Sequence, residues 1–189
     1  SYYILDLMTI QQIYDLAIEM GMRADPRGVE VVKRVLEKRK KEYEDLPEKK
    51  KKLFDPESFT NPYSDSRIMF GDPKKSVKKI MAGIDLEGAE ILLADRLNQK
   101  GEKIDLLIGH HPSGHALASL YEVMDLQIDT FATAGVPENV AQALFMDRMS
   151  YVKRRFGPLN HSRAVAAARL LDIPLMAIHT IWDNMGDHF

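Results

Sequence analysis

The sequence contains no cysteine among its 189 residues, so it has neither disulfides nor thiolate metal ligands. Any bound metal ion must therefore be held by histidine, aspartate or glutamate side chains. No run of about 18 apolar residues is present, which argues against a membrane span. The first ten residues, SYYILDLMTI, lack a basic flank and a small-residue cleavage site, which argues against a signal peptide. We therefore expect a cytoplasmic protein.

Positive charge is concentrated in one stretch, although the net charge of the chain is only -2. Residues 33–52 carry ten Lys or Arg and five Asp or Glu. This pattern favours a solvent-exposed helix with pairs four residues apart, such as Glu37 and Lys41. A surface for nucleic acid or another acidic partner is the less favoured interpretation, because neither interleaved aromatic residues nor a known motif accompanies the charges.

The composition, 45% hydrophobic and 29% charged, is that of a globular protein, and 189 residues are enough for one domain or for one domain with an appendage. Residues 1–64 are predicted to form a helical N-terminal region. Thr9 can cap a helix that ends near Gly21, with its apolar stripe at Ile10, Ile13, Leu16, Ala17 and Met20. Asp25 and Pro26 predict a second helix to about Tyr43. The segment DPESFTNPYSDS, residues 55–66, is typical of a loop.

Residues 65–189 are predicted to form an α/β domain. The apolar runs predict strands at about 68–70, 77–84, 104–108 and 175–178, and the helical spacings predict helices at about 87–98, 116–129, 137–156 and 160–171. The strand–helix–strand order of residues 77–108 indicates a parallel pair joined by a crossover helix. The expected fold class is therefore α/β, a sheet flanked by helices, with a helical N-terminal extension.

Potential metal ligands follow three of the predicted strands. Asp85 follows the second strand, His110 and His111 follow the third, and His179 with Asp183 follows the fourth. In an open α/β sheet, ligands bind beyond the carboxyl ends of the strands. We therefore expect these side chains to share one edge of the sheet.

Each of these residues also has a purely structural interpretation. The histidine pair can cap sheet carbonyls, Asp85 can cap the next helix, His179 can be a core histidine and Asp183 a turn residue. The coincidence of several ligand types at consecutive strand ends favours a metal centre. Histidine and carboxylate ligands suit Zn, Mn, Fe, Co or Ni. Two ions about 3.5–4 Å apart would share a bridging water.

Four motifs, in order, resemble those of the NIF-three-like (NGG-one-interacting factor three-like) family. They are GDP at 71–73, GID at 83–85, LLIGHHP at 106–112 and AIHTIWDN at 177–184. The resemblance spans about residues 66–185. It implies an α/β fold with a di-metal centre, and a homo-oligomer that is often a hexameric toroid.

The resemblance also implies roles for particular residues. It implies that His110, His111 and Asp183 are metal ligands for one or two divalent ions per chain. It makes His179 the motif histidine close to the site, where it can orient a ligand or transfer a proton, and we name it as the catalytic residue. Asp85 matches an acidic position at the adjacent strand end, where it can accept a hydrogen bond from a ligand histidine.

The chain departs from the family pattern in two places. The family usually completes its centre with a later segment in which a histidine and a glutamate lie four residues apart. No such segment occurs up to Phe189, which predicts either a truncated form or a more open site. Residues 25–64 have no counterpart that we can match.

The first functional hypothesis is a divalent-metal-dependent hydrolase of a small substrate, with nucleotides among the candidates. The alternative is a non-catalytic metal chaperone, or a regulatory scaffold that binds a protein or nucleic acid. The family often carries a GTP cyclohydrolase label, but GDPKK is too short to be a phosphate-binding P-loop.

Overall fold

The structure is a computed structural model that describes residues 7–186, with the backbone alone at residues 125 and 126. The first six residues of the predicted N-terminal region and the last three of the predicted α/β domain therefore lie outside it. The strands are β1 (Ser66–Phe70), β2 (Ile80–Gly83), β3 (Leu106–Gly109) and β4 (Leu175–Ile178). The helices are α1 (Ile10–Arg23), α2 (Val29–Glu44), α3 (Glu48–Lys51), α4 (Gly88–Gln99), α5 (Gly114–Ala118), α6 (Asp125–Thr133), α7 (Glu138–Phe156), α8 (Arg163–Leu170) and α9 (His179–Gly186). Short 3-10 helices lie at Pro56–Phe59 and Leu120–Met124. Within the described range, no helix is both long and apolar enough to cross a bilayer.

The four strands form one sheet in the order β1-β4-β3-β2. β2, β3 and β4 run parallel, with α4 as the crossover between β2 and β3. β1 is antiparallel to β4 and pairs Ser66 with Ile178. The predicted α/β class and the predicted parallel pair are confirmed.

Helices cover both faces of the sheet, because side chains along each buried strand alternate between the faces. Leu107 and Leu175 pack under α4 and α8 in one cluster. Leu106 and Met176, one residue away in each strand, pack against Ile10 of α1 in the other cluster. The first predicted helix is therefore part of the layer that covers the sheet.

α1 begins as the sequence predicts, but it buries a different stripe. Thr9 caps the helix through a reciprocal pair of hydrogen bonds with Gln12. The buried positions are Ile10, Tyr14 and Gly21, whereas Leu16 and Met20 are exposed, so the predicted stripe is wrong at those two residues. Tyr14 is drawn inward because its hydroxyl donates to the carbonyl of Ser66, at 2.7 Å.

α2 begins at Val29, three residues later than the predicted first helical position, Pro26. The Asp25 carboxylate accepts hydrogen bonds from the backbone and side chain of Arg27, which holds the preceding turn away from helical geometry. Gly28 then precedes the helix with a φ of +84°, which an L side chain rarely adopts.

Three other boundaries differ from the sequence prediction. The strand predicted from residue 77 pairs only from Ile80, because the Asp105 carboxylate takes the backbone N–H groups of residues 78 and 79. The helix predicted at 116–129 breaks at Ser119, whose carbonyl accepts from the Ser64 hydroxyl at 3.0 Å. The predicted loop 55–66 contains a 3-10 helix, and residues 61–67 are all buried.

Candidate metal centre

One edge of the sheet collects the side chains that the sequence singles out. Because β2, β3 and β4 are parallel, their carboxyl ends meet at this edge, and they are followed by Asp85, His110 with His111, and His179. β1 runs the other way, so its first residue reaches the same edge, with Asp65 directly before it. α9 starts at His179 without a connecting loop.

Three of these side chains could hold one metal ion. In the described part of the chain, His110, His179 and Asp183 each offer a ligand atom, and these atoms lie within 4.8 Å of one another. His179 and Asp183 are four residues apart on α9 and therefore share one face of the helix. The rings of His110 and His179 are stacked, with centroids 4.8 Å apart.

The chemistry of this donor set fits a divalent ion. The Nε2 atom of His110 lies 2.9 Å from Oδ1 of Asp183. Nitrogen and carboxylate ligands bind at about 2.0–2.2 Å, so two ligands of one tetrahedral or octahedral ion lie about 3–3.5 Å apart. The two side chains are within hydrogen-bond distance, and a separation of 2.9 Å is also close to that of two ligands of one ion.

Asp65 is the residue behind His179 that sequence reasoning missed. It is fully buried, and its Oδ2 atom accepts hydrogen bonds from Nδ1 of His179 at 2.9 Å and from the Thr180 hydroxyl at 2.6 Å. Its Oδ1 atom faces the backbone N–H of Thr180 at 3.4 Å and the Ser66 hydroxyl at 3.2 Å. Asp65 therefore orients the imidazole and also caps the start of α9.

This contact decides which nitrogen of His179 carries the proton, although Nδ1 also lies 3.8 Å from Oδ2 of Asp183. With Nδ1–H donating to Asp65, the lone pair stays on Nε2. Burial lowers the pKa of His179, but the hydrogen bond to Asp65 and the charges of Asp65 and Asp183 outweigh it, so that the pKa lies above its usual value. A divalent cation would balance the same two carboxylates.

His111 and Asp85 form a separate pair at this edge. Nδ1 of His111 lies 2.7 Å from Oδ1 of Asp85, and both side chains are at least half exposed. The ring centroid of His111 lies 5.0 Å from that of His110 and 5.8 Å from that of His179. His111 lies outside the three-residue group. Its role as a ligand, the role of Asp85 and the catalytic role of His179 all stay predictions.

Contacts with Gly21 of α1 and with Tyr63 hold α9 in place. Ile181 is buried against Gly21, where a Cβ atom would lie 3.0 Å from the Ile181 side chain. Asn184 donates to the hydroxyl of Tyr63 at 3.2 Å and to the carbonyl of Gly21 at 3.3 Å. The helix that carries His179 and Asp183 is therefore held by a buried contact and by buried hydrogen bonds.

A cleft of about 730 Å3 opens beside the candidate ligands, which is large enough for a small molecule. We call it the Trp182 cleft. It is lined by Ala82, Gly83, Ile84, Ile108, His110, Ile178, Trp182, Asp183 and Gly186. A substrate in this cleft would thus lie against His110 and Asp183.

Comparison with known proteins gives one solved structure. No family model matches the chain, and the search of curated proteins returned no match. The crystal structure of a NIF3 superfamily protein from Sphaerobacter thermophilus matches it with a TM-score of 0.59 and 31% sequence identity. The match covers 65% of this chain and 42% of that protein, so this chain spans less than half of that protein's length.

The match bears on the fold that the motifs indicate. The motifs at strand ends predicted an α/β sheet of this type, and the sheet has been found with His110 and Asp183 at its carboxyl edge. This chain therefore has a NIF3-like fold, as its motifs predicted.

Proposed function

We propose that this protein is a cytoplasmic, divalent-metal-dependent hydrolase of a small substrate. The observation that carries the proposal is the convergence of His110, His179 and Asp183 at a sheet edge that opens into the Trp182 cleft. Metal-ligating side chains beside a cleft of this size are the usual setting of metal-assisted hydrolysis.

The side chains have distinct proposed roles. A divalent ion supplies Lewis acidity, which activates water and polarises the bond to be cleaved. His110 and Asp183 would hold the ion, since their facing atoms are 2.9 Å apart. Nε2 of His179 would either complete that ligand set or take a proton from water and return it to the leaving group. His111 would supply the remaining ligand, or a ligand for a second ion.

Metal content tests the ligand assignment. We expect elemental analysis of the purified, metal-replete protein to find one or two divalent ions per chain. The His110→Ala and Asp183→Ala variants should lose the ion, because each removes a ligand atom from the group. The control is Asp95→Asn, because the Asp95 carboxylate lies on the exposed side of α4, where it accepts a hydrogen bond from Gln99. This variant should keep the metal ion. A wild type without metal would refute the site.

Two further variants decide between the roles of the neighbouring histidines. If His179→Ala loses metal and His111→Ala keeps it, His179 is the third ligand. If His111→Ala loses metal and His179→Ala keeps it, His111 is the third ligand and His179 is free for proton transfer. Metal that is bound without turnover of any phosphoester, ester or amide in a substrate panel would instead favour the metal chaperone or scaffold.

We also propose that the chain forms a homo-oligomer. Val140 and Leu144 lie one turn apart on α7, so they share one face of the helix, and they are 44% and 71% exposed. Exposed apolar surface of this kind is typical of interfaces. Sedimentation equilibrium should give a mass of at least twice the chain mass of 21.5 kDa. Leu144→Glu should shift it toward one chain, whereas a monomeric wild type would refute this.

A further inference from the structure

The Trp182 cleft lies where the helical layer leaves the sheet uncovered. α1 covers the face of β3 and β4 through Ile10, which packs against Leu106 and Met176. Further along the same sheet, Ile80 and Ile84, in and beyond β2, are 44% and 63% exposed. The cleft therefore combines an open apolar surface with the edge that carries the candidate metal ligands.

The lining of the cleft is polar at one end only. Among the residues that the structure describes, His110 and Asp183 are the charged or polar side chains of the lining, and both belong to the candidate metal centre. The other lining side chains are apolar, chiefly Ile84, Ile178 and Trp182. A molecule that fills the cleft must therefore present an apolar, uncharged group next to the group that reaches the metal ligands.

Trp182 is placed to hold that group. It is the single tryptophan of the chain, and it is 58% exposed although it follows the buried Ile181. It lies three residues after His179 and one before Asp183, so α9 presents the indole beside the ligand face. An indole offers a broad flat surface, on which aromatic rings stack more favourably than aliphatic groups of similar size.

We propose that the Trp182 cleft binds a flat aromatic ring of the substrate, and that Trp182 selects for that ring. This inference rests on the proposed hydrolase function and names its substrate class. The ring can be a simple phenyl group or a nucleobase. Since the described lining residues offer no polar side chain away from the metal ligands, we expect the ring to be held by stacking and not by hydrogen bonds to its edge.

Ring binding can be measured without metal. In the metal-free protein, benzamide and adenosine carry the ring, and acetamide and ribose are their controls without it. Trp182 is the only indole, so its emission reports binding directly. We expect both ring compounds to change the emission and to bind about tenfold more tightly than their controls. A preference for adenosine alone would identify the ring as a nucleobase, and a preference for benzamide alone as a simple aromatic group.

The variants are compared by calorimetry, because Trp182→Ala has no indole. Trp182→Ala should lose the tenfold preference, whereas Trp182→Phe should keep most of it. The control is Tyr151→Ala, which removes an exposed aromatic ring of α7 that is not among the lining residues of the cleft. It should keep the preference in full. If the wild type binds ring compounds and their controls equally, the inference is overturned. It is also overturned if the Trp182 emission changes with protein concentration alone, because another copy of the chain then covers the cleft.

Turnover by the metal-loaded protein separates this inference from the hydrolase proposal. We expect kcat/KM to be about tenfold higher for benzyl phosphate than for ethyl phosphate, and for adenosine monophosphate than for ribose 5-phosphate, since the leaving alcohols of each pair are of similar acidity. In Trp182→Ala both ratios should fall to about one. Turnover without a ring preference refutes the ring site and keeps the hydrolase. Ring binding by the metal-free protein without turnover by the loaded protein refutes the hydrolase and supports the ring site.

Discussion

Replacing Asp65 with asparagine should weaken divalent metal binding by about 10- to 100-fold, the usual effect of losing a carboxylate that orients a site histidine. Oδ2 of Asp65 accepts from His179 and from the hydroxyl of Thr180, and an amide oxygen can keep both bonds. The amide NH2 would then face the backbone N–H of Thr180 and the Ser66 hydroxyl, where Oδ1 now lies. The site would also lose a negative charge that is buried beside the ion.

Calorimetric metal titrations at a temperature where the variant is folded, as shown by circular dichroism, measure this effect. We expect the Asp65→Asn variant to be destabilised as well, by about 1–3 kcal/mol, because buried donors are left without an acceptor. Asp95→Asn is the matched control and should change neither quantity. An Asp65→Asn variant that binds metal like the wild type would show that Asp65 only supports the fold and does not position His179.

Local sequence patterns are enough to place most of the side chains at the carboxyl edge of the sheet. The runs before Asp85, His110 and His179 are apolar and short, and each stops at a residue that leaves the strand, which is how buried parallel strands end. The strands are parallel, so the order of motifs along the chain becomes a row of side chains in space. Thr9 was equally clear, because a helix cap is a contact between residues three apart.

Asp65 could not be found in this way, because its environment is made by distant residues. The segment around it is rich in Asn, Pro, Ser and Asp, and such a composition is typical of an exposed loop. Here the segment is buried because long-range partners satisfy its polar groups. Asn61, for example, donates to the Tyr14 hydroxyl and to the carbonyl of Ser66. The available signal was that Asp65 directly precedes an edge strand, whose start can reach the carboxyl edge of a parallel sheet.

The start of α2 was misplaced for a similar reason. Asp25 before Pro26 is a common helix cap, but here the carboxylate is engaged by a cation two residues later. Arg27 also reaches Asp129 in α6, more than a hundred residues away, with Nη1 3.2 Å from Oδ2. The Asp25 carboxylate is thus shared with an arginine that is itself held by a distant residue, and the sequence alone does not reveal that long-range contact.

The buried ion pair between Asp25 and Arg27 leads to the largest effect on the free energy of unfolding that we expect. The side chains of Asp25 and Arg27 are 0% and 2% exposed, and two parallel hydrogen bonds of 2.9 Å join them. An Arg27→Met variant would leave the Asp25 charge buried without a cation, which typically costs about 3–5 kcal/mol. Urea denaturation followed by circular dichroism should show a loss of this size.

A second replacement separates the buried charge from the packing of Arg27. In Asp25→Asn/Arg27→Met the charge is gone, and Tyr63 can still donate to the amide oxygen as it now donates to Asp25 at 2.8 Å. The double variant should therefore recover more than half of the lost stability. Arg23→Met, at an exposed arginine of α1 that pairs with Glu19, should leave the urea midpoint unchanged. If the double variant is as unstable as Arg27→Met, the loss comes from packing around Arg27, and the buried charge is not its cause.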